Sequence, residues 1–212
     1  GAVFGAEGTT GDKINMKGDV AVTTNEATAD LTDLKAAENA TTGLVTATGV
    51  SSATGTVAEA VEMLSTNEGT SGDKIDMAAD VAVTLETAAS VDLASLKTIE
   101  EATTGLVTAT AVTSAAGTVA EAVEMLSTAE GAAGDKIDMA SDVAVTVEAA
   151  ASVDLADLKL IEEGTTGLVT AVAVTSVLGS SAEIGAVFGA EGTTGDKINM
   201  KADVAVTTNE NT

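Results

Sequence analysis

Hydrophobic and polar positions along this chain follow two periods that alternate. In residues 134–164, GDKIDMASDVAVTVEAAASVDLADLKLIEEG, Ile137 and Met139, then Val143, Val145 and Val147, fall at every second position. That spacing predicts short strands, because successive side chains on a strand point to opposite faces. In residues 104–131, Leu106, Thr108, Thr110 and Val112 alternate with Val107, Ala109 and Ala111. The β-branched Val and Thr suit that pleat. Elsewhere the period changes. Val57, Ala60, Val61 and Leu64 sit at i, i+3, i+4 and i+7, one face of a helix, with Glu59 and Glu62 off it. Leu155, Leu158 and Ile161 sit at i, i+3 and i+6 behind Asp154, which is placed to cap a helix. Helices this short do not hold by themselves and need a sheet to cover.

The same pattern returns along the chain. GDKI(N/D)M opens at Gly11, Gly72, Gly134 and Gly195, and TTGLVTA carries its glycine at Gly43, Gly105 and Gly167. The offset from one copy to the next is therefore 61 or 62. A longer repeat lies over it: residues 1–28 match residues 185–212 at 26 of 28 positions, an offset of 184. The segment GAVFGAEG, with Phe4 and Phe188, marks this super-repeat by standing where AVEMLST stands elsewhere. Each 62-residue unit divides into two halves of about 31, each a β-like stretch followed by a helix-like one. Repeats of this size stack, each coil burying its faces against its neighbours. The expected fold is an α/β solenoid of stacked ~31-residue coils, built from short parallel strands and short helices. An all-β solenoid, with VAEAVEML as a further strand, is the alternative. Residues 1–212 are expected to form one continuous solenoid, a window of a longer array.

Composition narrows the chemistry. There are 33 Asp and Glu against 9 Lys, with no Arg, for a net charge of −24. Cys, His, Trp, Tyr, Pro and Gln are absent. Disulfides, thiolate or imidazole metal sites, and Ser-His-Asp or Cys-His catalysis are excluded. No guanidinium is available to grip phosphate. The negative charge opposes nucleic acid and anionic membrane surfaces. No apolar run reaches the ~18 residues of a membrane-spanning helix, so no membrane insertion is expected. Val, Leu, Ile and Phe make up 48 of 212 residues, enough for a core, but one of small side chains suited to thin layers.

Several motifs bear on function. Gly69–Asp76 and Gly131–Asp138 read G-x-x-G-D-K-I-D. This resembles a degenerate form of the Gly- and Asp-rich nonapeptide of RTX β-rolls. The resemblance implies Ca²⁺ held by carboxylate oxygens, from Asp73, Asp76 and Asp80 and from Asp135, Asp138 and Asp142. The motif departs from that family by occurring only once in each repeat, with Lys74 or Lys136 beside the Asp. The competing reading is a turn with a solvated Asp–Lys pair. Stacked coils would place like Asp residues two rises apart, about 10 Å, near a Debye length. Thr46 with Thr48, and Thr108 with Thr110, resemble the T-x-T arrays of ice-binding solenoids, but Val172 follows Thr170 in the third copy. Only every second coil would carry that pattern. Glu100–Glu101 and Glu162–Glu163 recur with the period, unlike a catalytic pair, which occurs once. Phe4 and Phe188 read either as a lateral contact or as filling of a local core gap.

Taken together, DKIDM, DVAVTVE, SVDLADLKLIEEGTTGLVTA and TAVTS resemble the repeats of giant extracellular tandem-repeat proteins of bacteria, adhesin-like or surface-fibre chains. The resemblance covers essentially the whole chain. It implies a cell-surface or extracellular structural role, with no catalytic residue, no required cofactor, and partners that are copies of itself or adjoining repeats. The expected function is a segment of a filament that continues end to end. The alternative is a calcium-stiffened stalk of a large adhesin.

Overall fold

In the computed structural model the described residues are 17–65, 75–86, 88–127, 137–188 and 198–209. Phe4, Asp73 and Asp135 lie outside them. In chain order the elements are β1 (Val22–Thr23), β2 (Thr28–Asp30), α1 (Leu31–Ala40), β3 (Val45–Ala47), β4 (Ser52–Gly55), α2 (Val57–Ser65), β5 (Ile75–Met77), β6 (Ala82–Leu85) and β7 (Val91–Asp92). There follow α3 (Leu93–Ala102), β8 (Val107–Ala109), β9 (Ser114–Gly117), α4 (Val119–Ser127), β10 (Ile137–Met139), β11 (Ala144–Val147), β12 (Val153–Asp154), α5 (Leu155–Gly164), β13 (Val169–Ala171), β14 (Ser176–Gly179), α6 (Ser181–Phe188), β15 (Ile198–Met200) and β16 (Ala205–Thr208). The chain is an α/β protein with parallel sheets and six helices among the described residues. VAEAVEML is helical in both copies, in α2 and α4, and not a strand.

Two compact units divide the chain. Unit 1 holds residues 1–86 and 98–108, and unit 2 holds residues 87–97 and 109–212. In unit 1, β1, β3 and β5 form one parallel ladder, and β2, β4, β6 and β8 pair in that order in another. In unit 2 the ladders are β7-β9-β11-β13-β15 and β12-β14-β16.

Strands do not pair with their counterparts in the next repeat. Ala53 lies beside Val83, 30 positions on, and Val83 beside Val107, 24 positions on. In unit 2, Ala115 lies beside Val145 and Val145 beside Val169, the same two steps. A uniform ~31-residue coil is thereby replaced by alternating steps of 24 and 30. The cause is strand number. In the second and third repeats the first half carries three strands, β5 to β7 and β10 to β12, and the second half two, β8 with β9 and β13 with β14. Two ladder steps, from Ala53 to Val107, fall short of one full repeat. The shortfall is one strand and its turn, the distance from Val83 to Val91. Each ladder therefore passes to the neighbouring strand once per repeat. For the same reason the IDM strands do not stack in one column. β5 ends the ladder β1-β3-β5, and β15 ends the ladder it shares with β7, β9, β11 and β13, so no ladder within a unit holds two of them. The expected column of like Asp residues does not form within a unit.

Alternation of side chains sorts the strands into an inner and an outer face. In unit 2 the inward column is Val91, Ala115, Val145, Val169 and Ile198, all buried. In unit 1 Val45 and Ile75, and Ala53, Val83 and Val107, do the same. Alternation in the VTA strands stops at Ala109, because Thr110 and Ala111 turn and Val112 points back into the core, fully buried. The helices close the layer. Leu155, Leu158 and Ile161 are buried as their spacing predicts. In α2 the deepest residues are Ala60 and Met63, so the buried stripe is rotated from the one through Val57 and Leu64, which are half-buried. Each fully buried aliphatic side chain contributes about 1.5–3 kcal/mol.

Two kinds of cap start the helices. Asp30, Asp92 and Asp154 each accept a hydrogen bond from the backbone N–H two residues on, at 2.8–2.9 Å. α2, α4 and α6 use reciprocal boxes instead. Glu59 Oε2 accepts from Thr56 N at 2.9 Å while Thr56 Oγ1 accepts from Glu59 N at 3.3 Å. Thr118 with Glu121, and Ser180 with Glu183, repeat this arrangement. The T-x-x-E or S-x-x-E spacing is visible in the sequence at each of these helix starts.

Candidate functional site

The acidic candidates are placed by turns and strand ends. Asp76 is half-buried on β5, on the outward side opposite Thr46. Asp138 is half-buried on β10. Asp80 and Asp142 are exposed in the turns that follow, closed by hydrogen bonds from Val81 N to Ala78 O and from Val143 N to Ala140 O. Among the described residues no three acidic side chains come together at a distance that would hold a metal ion. Asp73 and Asp135, which would complete each set, lie outside those residues.

The turns hold a feature that the TTG spacing did not reveal. Thr103, buried, donates to the Val81 carbonyl at 2.6 Å and accepts from Gly105 N at 3.0 Å. Thr165 does the same with Val143 and Gly167, at 2.6 and 2.9 Å, and Thr41 with Val20 and Gly43, at 2.5 and 2.9 Å. The glycine is required by space. A Cβ on Gly105 would lie 2.4 Å from the Val81 carbonyl oxygen, and one on Gly167 the same distance from that of Val143. The TTG element is thus a clasp between successive coils.

Helix faces carry ion pairs across the same step. Lys35 on α1 bonds Glu62 on α2, and Lys97 on α3 bonds Glu124 on α4. Glu62 raises the Lys35 pKa, chiefly through that hydrogen bond. In the third repeat the equivalent partner position is Ala186, and Lys159 turns to Glu163 on its own helix at 2.9 Å. The super-repeat variant therefore removes one inter-helix pair. It also places Phe188, half-buried, at the end of α6. The super-repeat is reproduced in local geometry: Lys17 pairs with Asp19 at 2.8 Å and Lys201 with Asp203 at 3.0 Å.

An open cleft of about 320 Å³ in unit 2 is lined by Thr118, Glu148, Ser152, Val153, Asp154 and Asp157 among others. Its charged groups are all carboxylates, and Asp154 is engaged as the cap of α5. In unit 1, Asp30, Thr54, Thr84 and Thr108 form one outward row. No helix among the described residues is long and apolar enough to cross a membrane. The chain matches no protein-family model, no curated protein and no solved structure.

Proposed function

We propose that this chain is a structural repeat segment of an extracellular filament, its coils continuing end to end as one α/β solenoid. One observation carries the reading. Within each unit, every paired strand finds its neighbour in the next coil, as Val22 finds Val45 and Ala53 finds Val83. A lone 62-residue repeat would leave its ladders open at the edge and its core uncovered, so the array and not the repeat is the folding unit. The clasp and the inter-helix ion pairs act across the same step. The extracellular placing rests on the resemblance to bacterial surface-fibre repeats, with which the acidic surface and lack of cysteine agree. Phe188 and Phe4 mark one coil in each 184-residue super-repeat and serve as the lateral contact that sets a filament's long period.

Electron microscopy and fibre diffraction of the chain test this. Ordered fibres are expected, with a coil spacing of ~4.8 Å along the axis. Isolated compact particles of 20.6 kDa would sink the filament reading. Particles of that kind which also gain thermal stability in millimolar Ca²⁺ would favour the adhesin stalk.

A further inference from the structure

We infer that residues 201–208 of one copy of this chain take the place of residues 17–24 in a second copy, joining the two end to end. The inference deepens the filament reading, on which it rests for the setting of the joint. The two segments differ only at Gly18 against Ala202. They fold alike. Val20 N donates to Lys17 O and Val204 N to Lys201 O, both at 3.2 Å. Each turn carries its own lysine–aspartate pair.

The two segments use opposite edges. β1 is held by β3: Val22 N donates to Leu44 O at 2.9 Å and Thr24 N to Thr46 O at 3.0 Å. β16 is held by β14: Ala205 N donates to Thr175 O at 3.0 Å and Asn209 N to Gly179 O at 3.1 Å. Amides in a parallel ladder alternate between the two edges of a strand. Val206 N and Thr208 N, the equivalents of Val22 N and Thr24 N, therefore face away from β14. Among the described residues β1 and β16 each end a ladder. The interior strand β11 has both neighbours. Ala144 N and Glu148 N donate to Thr113 O and Gly117 O on one edge, and Val145 N donates to Leu168 O on the other. β11 is thus β16 with the β3-type partner of β1 added, in a single register. Burial follows the same rule. Val206 is 45% exposed, whereas Val83 and Val145, at the same position in strands with both neighbours, are 0% and 1% exposed.

The replacement brings neither clash nor new charge. Thr41 and Thr42 bond Val20 O and Gly18 O, and in the joint they meet Val204 O and Ala202 O. A Cβ at Gly18 meets nothing within 4 Å, so alanine fits there. Asp203 arrives paired with Lys201, as Asp19 is paired with Lys17. Each backbone hydrogen bond given up by residues 17–24 is remade by the incoming strand. That strand is already ordered on β14, so less conformational entropy is lost in seating it. A second copy is the partner because it carries this seat, filled by the same sequence. Exchange of identical elements between copies is a low-cost route to association.

Sedimentation velocity of the 212-residue chain across a concentration series tests the joint, with fibres followed separately by microscopy. Val206→Lys and Val22→Lys alter equivalent residues and should act in opposite directions. Val206→Lys spoils the incoming strand and should weaken joining by about tenfold or more. Val22→Lys weakens the strand to be displaced and should strengthen joining. Circular dichroism confirms that each variant is folded. Cysteines locate the contact. Thr46 lies beside Thr23, whose equivalent is Thr207. Neighbouring strands lie ~4.8 Å apart, within disulfide reach. Chains with Thr46→Cys mixed with chains with Thr207→Cys should form disulfide dimers on oxidation, well above either chain alone. Thr23→Cys with Thr46→Cys in one chain, its disulfide verified by mass, should hold residues 17–24 in their seat and block joining until reduced. Single chains at all concentrations, equal effects of the two lysine variants, or undiminished joining of the locked chain would each overturn the inference. Fibres formed equally well by the locked chain overturn this inference alone. Disulfide-linked copies without ordered fibres overturn the filament reading alone.

Discussion

The Thr103 hydroxyl donates a 2.6 Å hydrogen bond to the Val81 carbonyl, 22 residues back and one coil away. It also accepts from Gly105 N, so one buried oxygen ties a turn to the coil beside it. Replacing it leaves both backbone groups without that partner. Thr103→Val should therefore cost about 1–3 kcal/mol, the desolvation of unsatisfied buried polar groups. Urea unfolding followed by circular dichroism reads this as a lower midpoint, and Thr165→Val should show a similar loss.

Space at the neighbouring glycine gives a sharper contrast. Gly105→Ala and Gly167→Ala place a Cβ 2.4 Å from a backbone oxygen, which no side-chain rotation relieves. Each should destabilise by roughly 1–3 kcal/mol or more, as overpacking does. Gly49→Ala meets nothing within 4 Å and should stay within about 0.5 kcal/mol of the parent. Equal thermal midpoints for Gly105→Ala and Gly49→Ala would contradict the clasp geometry.

Gly164 ends α5 where the equivalent helices end in Ala40 and Ala102. Helix propensity favours alanine over glycine by about 1 kcal/mol. Yet a Cβ at Gly164 would lie 2.4 Å from the Leu126 backbone oxygen on α4. Gly164→Ala is therefore expected to destabilise unit 2 despite the better propensity. Hydrogen exchange should show faster exchange in α4 and α5.

Acid should loosen the capping boxes. The Thr56 backbone N–H, and then its hydroxyl, hold the Glu59 carboxyl below its ordinary value of 4.5, and Ser180 does the same for Glu183. A folded-state pKa below the unfolded one gives stability that is present above about pH 4.5 and lost as pH falls through the folded value. The difference in thermal midpoint between the parent and Glu59→Gln should be constant near neutral pH and shrink below that point. A difference that widens on acidification would contradict the assigned bond.

Much of the local structure was legible from residue pattern. The period-two run Val143, Val145, Val147 became a strand with those side chains buried, and Asp154 caps the helix whose Leu155, Leu158 and Ile161 face the core. The repeat length follows from spacing alone, and the spacing of Val57, Ala60, Val61 and Leu64 favoured the helix that VAEAVEML forms over the alternative strand. These are properties of a few neighbouring residues, set by backbone geometry and side-chain direction. The pairing of strands was not legible. An IDM strand, a VTA strand and an AVTV strand each offer the same alternation, so any of them could lie beside any other. Which do so depends on loop length between coils and on how tightly turns approach one another. Thr103, Gly105 and the third strand Val91–Asp92 settle that only in three dimensions, shifting the ladder by one strand per repeat. The sequence by itself determined the repeat, the alternation of strand and helix patterns within it, and the small side chains of its core. Tertiary packing alone decided which strands meet, because register is fixed by contacts between residues some 24 and 30 positions apart.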